Sequence, residues 1–216
     1  MRAIEITGIG NAIVDVIAEV EEGLLASLDL PLGSMTLIDR HRGAQIYDSI
    51  GRGLESSGGS AANTMVGFAS LGGSPAYIGK VADDHLGAVF ARDLGAAGVV
   101  YAAPRLGESA QERAEPTARC LILVTPDAQR TMATDLGISV HLSPADLDYE
   151  LITAARILYL EGYLFDRPLA KQAFLAAAEA AHQAGAKVAL TLSDAFCVER
   201  HRAEFRDLVT NHVDIL

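Results

Sequence analysis

The spacing of apolar and polar residues along the chain predicts alternating strands and helices. Residues 4–9 form an apolar run closed by Gly8 and Gly10, which indicates a buried strand near the start of the chain. Residues 168–184 form a long Ala-rich helical stretch that ends at Gly185. The other predicted strands are 14–20, 76–81, 119–125, 130–134, 156–160, 187–192 and 213–216, and the other predicted helices are 21–28, 61–71, 84–97, 144–154 and 200–210. The second half therefore has the order βαβαβ, which is typical of a parallel sheet covered by helices.

Two segments depart from this alternation. Residues 14–40 and 100–135 contain short strands that are too polar for a buried parallel sheet. Within 14–20, apolar residues alternate with Asp15 and Glu19, which gives a period close to two. These segments predict a small β lid over one edge of the main sheet. We expect residues 1–216 to form one α/β domain that contains this lid.

Polar residues predict where the later helices begin. Asp83 is the predicted N-cap of the helix at 84–97, and Ser143 is the predicted N-cap of the helix at 144–154. Residues 200–202, Arg-His-Arg, are interpreted as the solvated start of the last predicted helix, and a contact with a nucleotide is the alternative.

The composition argues against several classes of function. The formal net charge is -11 and no basic block occurs, so a broad nucleic-acid-binding surface is not expected. The only two cysteines are Cys120 and Cys197, which argues against a disulfide framework. Because no uninterrupted apolar run suggests a signal peptide or a membrane span, we expect a cytoplasmic protein without a membrane partner.

Common nucleotide and metal motifs are absent from the sequence. Gly8-Ile9-Gly10 begins like a dinucleotide-binding turn, but Ile13 stands where the third glycine would be. The residues that follow alternate like a strand instead of opening a helix. The chain also has no Gly-Lys-Ser/Thr sequence, no His-x-x-x-His and no Cys-x-x-Cys.

Two polar residues near the first strand are candidate ligand contacts. Asn11 follows the strand at 4–9, and Asp15 lies at the start of the next strand. A carboxylate suits the binding of two neighbouring hydroxyl groups because it accepts a hydrogen bond from each. The alternative is a turn-forming asparagine and a solvated strand aspartate.

A glycine pair before a helix is the second candidate site. Gly58 and Gly59 precede the helix at 61–71, and glycine lets backbone N–H groups approach a ligand without a Cβ in the way. Asn63 lies on the first turn of that helix and can direct its amide to the same ligand. The alternative is a loop that leads to a helix cap, with Asn63 as a first-turn polar residue.

The run from Ser57 to Gly87 resembles the first sequence signature of the ribokinase-like sugar and nucleoside kinases, the PfkB family. Asn11-Ala-Ile-Val-Asp15 is similar in spacing to a motif of adenosine-kinase-type members. The resemblance implies a ribokinase-like three-layer αβα sandwich with a mainly parallel sheet plus a small β lid. It also implies that the sugar is bound by Asn11, Asp15, Gly58, Gly59 and Asn63.

Two further segments carry the resemblance. Residues 128–134 resemble an adenosine-kinase segment on the return strand of the lid, which implies that Arg130 approaches the transferred phosphate. An exposed hairpin arginine is the alternative. Residues 159–165 resemble a strand-end motif, in which Glu161 matches an acidic position that ribokinases use near the sugar. Adenosine kinases often have a small residue there, so Glu161 weakens a strict assignment to adenosine.

The resemblance implies a kinase that uses ATP and Mg²⁺ to phosphorylate the primary hydroxyl of a ribose-containing substrate, with adenosine as the first choice. The alternatives are a PfkB kinase acting on ribose, fructose or another ketose, and a non-catalytic sugar- or nucleoside-binding module. The second family signature, Asp-Thr-x-Gly-Ala-Gly-Asp, does not occur in the chain. We therefore expect a C-terminally incomplete kinase domain that is inactive alone, with its catalytic base and ATP site beyond Leu216. Both a monomer and a homodimer are compatible with a β lid.

Overall fold

Two five-stranded β-sheets form the framework of the molecule. A computed structural model describes residues 3–51, 53–101 and 114–216. In chain order the strands are β1 (Ile6–Ile9), β2 (Ile13–Glu19), β3 (Met35–Leu37), β4 (Leu54–Gly58), β5 (Pro75–Ile78), β6 (Val100–Tyr101), β7 (Ala118–Val124), β8 (Arg130–Asp135), β9 (Ile157–Glu161) and β10 (Lys187–Thr191). The α-helices are α1 (Glu22–Ser27), α2 (Arg40–Ser49), α3 (Ser60–Ser70), α4 (His85–Ala96), α5 (Tyr149–Ala154), α6 (Pro168–Gln183), α7 (Ala195–Arg200) and α8 (Arg202–His212).

The larger layer is a parallel sheet with helices on both faces. Its strand order is β10-β9-β1-β5-β6, and every neighbouring pair is parallel. Ile6 and Tyr77 belong to the core that this sheet shares with α3 and α4. Ile9 and Ile78 belong to a second core, which is formed with α6. Apolar residues thus fill both faces of the sheet, and the predicted α/β sandwich is confirmed.

The second sheet is the predicted lid. Its strand order is β3-β8-β7-β2-β4, with β2 parallel to β7 and antiparallel to β4. Val14 and Val16 face a core that also contains Leu25 of α1 and Ile46 of α2. Asp15 lies on the other face, which is only partly covered. The period of two in β2 therefore separates a covered face from a face that is open to a ligand.

The lid differs from the predicted segments in two respects. β4 belongs to the lid, although its sequence, Leu-Glu-Ser-Ser-Gly, has too few β-branched or aromatic residues to be predicted as a strand. β6 pairs with β5 in the parallel sheet instead of joining the lid, because it continues the βα alternation after α4. The part of the predicted lid at 102–113 lies outside the described residues.

Three predicted helices begin differently in the structure. Asp84, not Asp83, is the N-cap of α4, because its carboxylate accepts a hydrogen bond from the backbone N–H of Gly87 at 2.8 Å. The predicted helix at 144–154 is split into a 3₁₀ turn at Pro144–Asp146 and α5, which Asp148 caps. The predicted helix at 200–210 is preceded by a separate helix, α7.

Like α7, the helix α2 was not predicted from the sequence. Among its residues only Gly43 and Ile46 are buried, so its apolar pattern is too weak to be recognised. No helix in the described part of the chain is long and apolar enough to cross a membrane.

Candidate active site

Glu161 ends β9 and is almost completely buried, with 1% of its surface exposed. Its Oε2 accepts hydrogen bonds from the backbone N–H of Asn11 at 2.8 Å and from Asn11 Nδ2 at 3.3 Å. Its Oε1 accepts from the backbone N–H of Ala61 at 3.0 Å and from the hydroxyl of Ser60. A carboxylate has about four acceptor positions, and the chain itself supplies four donors. Glu161 therefore holds the end of β1 and the start of α3 together.

Asn11 lies at the crossing from β1 into the lid and is 1% exposed. Because Glu161 can only accept, the amide nitrogen of Asn11 must face it, and the amide oxygen then faces Ser139. The hydroxyl of Ser139 lies 3.0 Å from Asn11 Oδ1 and 2.6 Å from the carbonyl oxygen of Leu136. Asn11 thus joins the first lid crossing to the 3₁₀ turn at Gly137–His141, which follows the last lid strand.

Close approach explains the glycines around this network. A Cβ on Gly10 would lie 2.7 Å from the Cβ of Ala61 and 2.9 Å from Glu161 Oε2. Gly59 is the N-cap of α3 with φ of 89°, and a Cβ there would lie 2.6 Å from the carbonyl oxygen of Asn11. Only glycine fits these two positions without a backbone shift.

Asp15 lies in the same region, but its carboxylate accepts no hydrogen bond from the described residues. In the lid it pairs with Ser56 of β4 and Cys120 of β7. Its carboxyl group packs directly on Gly58, where an added Cβ would lie 2.4 Å from Asp15 Cγ. Burial raises the pKa of Asp15 from its ordinary value of 3.8 to about 6. A half-buried carboxylate without donors has its full acceptor capacity available to a ligand.

A row of residues crosses the open face of the lid from Asp15. Cys120 lies beside Asp15, and Thr134 lies beside Cys120 on β8. The hydroxyl of Thr134 donates to Cys120 Sγ at 3.4 Å. Burial raises the pKa of the Cys120 thiol to about 11, so this thiol is not an activated nucleophile. Cys120 is therefore not a candidate for covalent catalysis.

The far end of this row borders a cavity of about 630 Å³. The cavity lies between the edge of the lid and the segments that follow β9 and β10. Its lining includes Leu37, Thr134 and Leu136 from the lid side, and Asp166, Arg200 and His201 from the other side. Arg200 and His201 both pair with the carboxylate of Asp166, at 2.9 and 2.7 Å. The guanidinium of Arg200 therefore has a counter-charge within the chain.

Two aromatic side chains are exposed on the elements that form that side of the cavity. Tyr163 is 37% exposed and Phe196 is 71% exposed, while Phe165 is buried. The backbone N–H of Tyr163 donates to Ser193 Oγ at 3.0 Å, and Ser193 has a left-handed φ of 67°. This strained loop links the two elements. Phe196 was not predicted as a site residue, and its only sequence signal was an aromatic residue in the polar segment after β10.

The comparisons with known proteins decide the family. The pfkB family carbohydrate kinase model matches residues 37–216. The chain belongs to this family. It is 44% identical to a probable sugar kinase from Rhizobium etli CFN 42, with a TM-score of 0.84 over 99% of this chain and 64% of that chain. It is 43% identical to the adenosine kinase from Sinorhizobium meliloti, with a TM-score of 0.84 over 98% of this chain and 64% of that chain.

A curated relative of this PfkB chain is named as a sugar kinase. The probable fructokinase-6, chloroplastic, of Arabidopsis thaliana is 32% identical over 130 residues, which are 59% of this chain and 33% of that protein. The chain thus spans about a third of the curated relative and 64% of the two bacterial chains with solved structures.

Within this kinase family fold, two predicted site residues lie apart from the Glu161 network. Asn63 is exposed on the first turn of α3, and its backbone N–H donates to the carbonyl of Gly59 at 2.9 Å. Arg130 begins β8 and pairs with Val124, four residues along the strand from Thr134. Arg130 is thus at the opposite end of the lid strand from the row that contains Asp15. The roles of Asn63 and Arg130 stay predictions.

No cluster of metal-ligating side chains occurs among the described residues of this PfkB chain. Within 3–51, 53–101 and 114–216, no group of three or more His, Cys, Asp or Glu side chains could hold a metal ion. We therefore assign no step to Mg²⁺ and no residue to the phosphates of ATP.

Proposed function

We propose that this chain binds the acceptor of an ATP-dependent kinase that phosphorylates the primary hydroxyl of a ribonucleoside, adenosine being the first candidate. The observation that carries the proposal is the Asp15 carboxylate on the partly covered face of the lid, which accepts no hydrogen bond from the described residues. Two neighbouring ribose hydroxyl groups can donate to its two oxygens. Gly58 lets the carboxylate lie flat against the backbone, because any side chain there would displace it.

The distance from Asp15 to the cavity favours a nucleoside over a monosaccharide. Thr134 lies two strands away from Asp15, which corresponds to about 10 Å across the sheet. A monosaccharide held by Asp15 would leave the cavity empty, whereas a nucleoside would extend its base toward it. Tyr163 and Phe196 are exposed aromatic residues on the two elements that supply Asp166 and Arg200 to the cavity lining, and exposed aromatic faces stack on bases.

The described residues supply binding and orientation. Ionised Asp15 holds the ribose hydroxyls, and the network of Glu161 fixes the start of α3 beside it. In-line phosphoryl transfer depends chiefly on such positioning and on charge stabilisation. ATP would supply the phosphoryl group in this proposal. We assign no catalytic base among the described residues.

A sugar kinase of the same family is the second candidate. It is favoured by the curated fructokinase relative and by an acidic residue at Glu161. A sugar- or nucleoside-binding module without catalysis is the third. A cytoplasmic location and a monomeric or homodimeric state stay predictions that accompany all three.

Calorimetric titration of the protein with adenosine, D-fructose and D-ribose tests the proposal. We expect adenosine to bind more tightly than either sugar. Phe196→Ala and Tyr163→Ala should each weaken adenosine binding by about 1–3 kcal/mol, because each removes a stacking face. Tyr149→Ala is the matched control, since Tyr149 is 45% exposed on α5, away from the lid. Tighter binding of fructose, unaffected by either aromatic substitution, would support the sugar kinase instead.

A further inference from the structure

A buried ion pair lies next to the candidate site and has no role in the proposed binding of the acceptor. Lys80 follows β5 and is 3% exposed. Its ammonium group lies 3.0 Å from Asp146 Oδ1 and 3.1 Å from Oδ2, and 3.4 Å from the carbonyl oxygen of His141. The pair thus links the parallel sheet to residues 136–147, the segment that returns from the lid to α5.

Hydrogen bonds hold the return segment, residues 136–147, in two places. Asp146 Oδ2 accepts from the backbone N–H and the hydroxyl of Ser143, each at 2.8 Å, which fixes the turn at Pro144–Asp146. Ser139, which is fully buried in the same segment, contacts Asn11 Oδ1 at 3.0 Å. The chain of contacts runs from Lys80 through the return segment to Asn11.

Lys80 and Asn11 belong to the same edge of the sheet. β1 and β5 are parallel neighbours, and the backbone N–H of Gly10 donates to the carbonyl of Ile78 at 3.3 Å. Both residues follow the carboxyl ends of these strands. Lys80 therefore anchors the last lid crossing at the edge where Asn11 begins the first one.

A buried ion pair of this kind adds little net stability compared with apolar residues of similar size. Because this pair connects two segments, fixing their relative position explains it better than a gain in stability does. We propose that Lys80 is a positioning residue, which acts through Asp146 and the segment that contains Ser139. It holds Asn11, and with it the crossing that leads to Asp15, in the position that the acceptor site needs. This inference rests on the acceptor site proposed above.

The test compares the double variant Lys80→Met/Asp146→Asn with the wild type. This variant removes both buried charges together and keeps an acceptor for Ser143, so neither charge is left unpaired. The matched control is Lys187→Met/Asp207→Asn, which removes the same two charges at exposed positions. Three quantities are measured for each protein: the urea unfolding transition, the ¹⁵N–¹H resonances of the assigned Asn11 side-chain amide, and the affinity for adenosine.

We expect the double variant to unfold cooperatively, to shift the Asn11 amide resonances, and to bind adenosine about twofold to thirtyfold more weakly. The control should match the wild type in all three measurements. An unshifted Asn11 amide, or wild-type adenosine affinity in a folded double variant, would overturn the inference. If the wild type binds no adenosine, the proposed function fails and the Asn11 resonances alone decide the positioning role.

Ser139→Ala is the second variant, because it removes the hydroxyl that contacts Asn11 without disturbing a charge. It should shift the Asn11 amide and weaken adenosine binding in the same direction as the double variant. If the double variant does not fold, Ser139→Ala decides whether the return segment positions Asn11. An unchanged Asn11 amide in Ser139→Ala would show that the return segment does not position it.

Discussion

Substitution of Glu161 by glutamine tests whether this carboxylate holds the site together. Glutamine has nearly the same shape, but one carboxylate oxygen becomes an NH₂ group that donates. If the NH₂ takes the place of Oε2, it faces the backbone N–H of Asn11; if it takes the place of Oε1, it faces the backbone N–H of Ala61. A backbone N–H cannot turn around to accept, so each orientation leaves one buried donor without a partner.

The magnitude follows from these contacts. A buried donor without a partner costs about 1–3 kcal/mol, and a hydrogen bond to a charged acceptor contributes about 1.5–3 kcal/mol against about 0.5–1.5 kcal/mol for a neutral one. Removing the charge also relieves part of the cost of burying it. We therefore expect Glu161→Gln to lower the free energy of unfolding by about 2–4 kcal/mol, a large part of the stability of an ordinary domain.

Urea unfolding followed by circular dichroism measures this loss. Glu199→Gln is the control, because Glu199 is exposed on α7, and its change should stay within about 0.5 kcal/mol. The slope of the transition should be the same in both variants, which shows that the folded state keeps its compactness. A loss below about 1 kcal/mol for Glu161→Gln would refute the four-donor network as a source of stability.

The other predictions concern Asp15 and Gly59. The affinity of the wild type for adenosine should fall as the pH is lowered through about 6, since a protonated carboxyl group no longer accepts from two hydroxyls. Calorimetry on both sides of pH 6 should find that Asp15→Asn binds adenosine weakly and with an affinity that does not depend on pH. The pKa of Asp15 is raised on folding, so its contribution to stability declines as the pH rises from 3.8 to about 6, and urea unfolding should find Asp15→Asn more stable than the wild type above pH 6, by about 1–2 kcal/mol after allowance for solvent screening. Gly59→Ala should lower the free energy of unfolding by about 2–4 kcal/mol, because a φ of 89° is combined with a distance of 2.6 Å from the new Cβ to the carbonyl oxygen of Asn11. Gly51→Ala should lower it by only about 1–2 kcal/mol, because φ is 67° but the Cβ would meet open space. Equal losses for the two glycine variants in urea unfolding would contradict the close approach to Asn11.

Four of the five strands of the parallel sheet could be predicted from the sequence because they are nearly continuous apolar runs, whereas β6 was expected in the lid. Turn residues flank each of these strands, and helices cover both faces of the sheet. β4 could not be predicted, because its four polar or small residues form a strand only through pairing with β2. The helix α2 was missed for a related reason: its contact with the lid depends on few buried residues. In both cases tertiary contacts decide the structure where local preference is weak.

The division of the helix at 144–154 shows a different limit. Ser143 and Asp148 are both good N-cap residues, and the sequence alone does not show which of them begins the helix. In the structure Asp146 turns back to Ser143 and to Lys80, which stops the first turn. Lys80 lies more than sixty residues away in the chain. A long-range ion pair therefore fixes a boundary that local patterns cannot.

Asp15 and Glu161 show why the roles of two carboxylates could not be distinguished in advance. Both are acidic residues in or at the end of a strand, and the family resemblance implies a sugar contact for each. The structure gives Glu161 four donors, two from the β1–β2 crossing and two from α3, and gives Asp15 no donor from the described residues. The difference arises from which segments meet at each side chain, and not from the residue type. Because a saturated carboxylate has little capacity left for a ligand, Asp15 is the stronger candidate for holding hydroxyl groups. Glu161 is the residue whose loss should disturb the geometry around it.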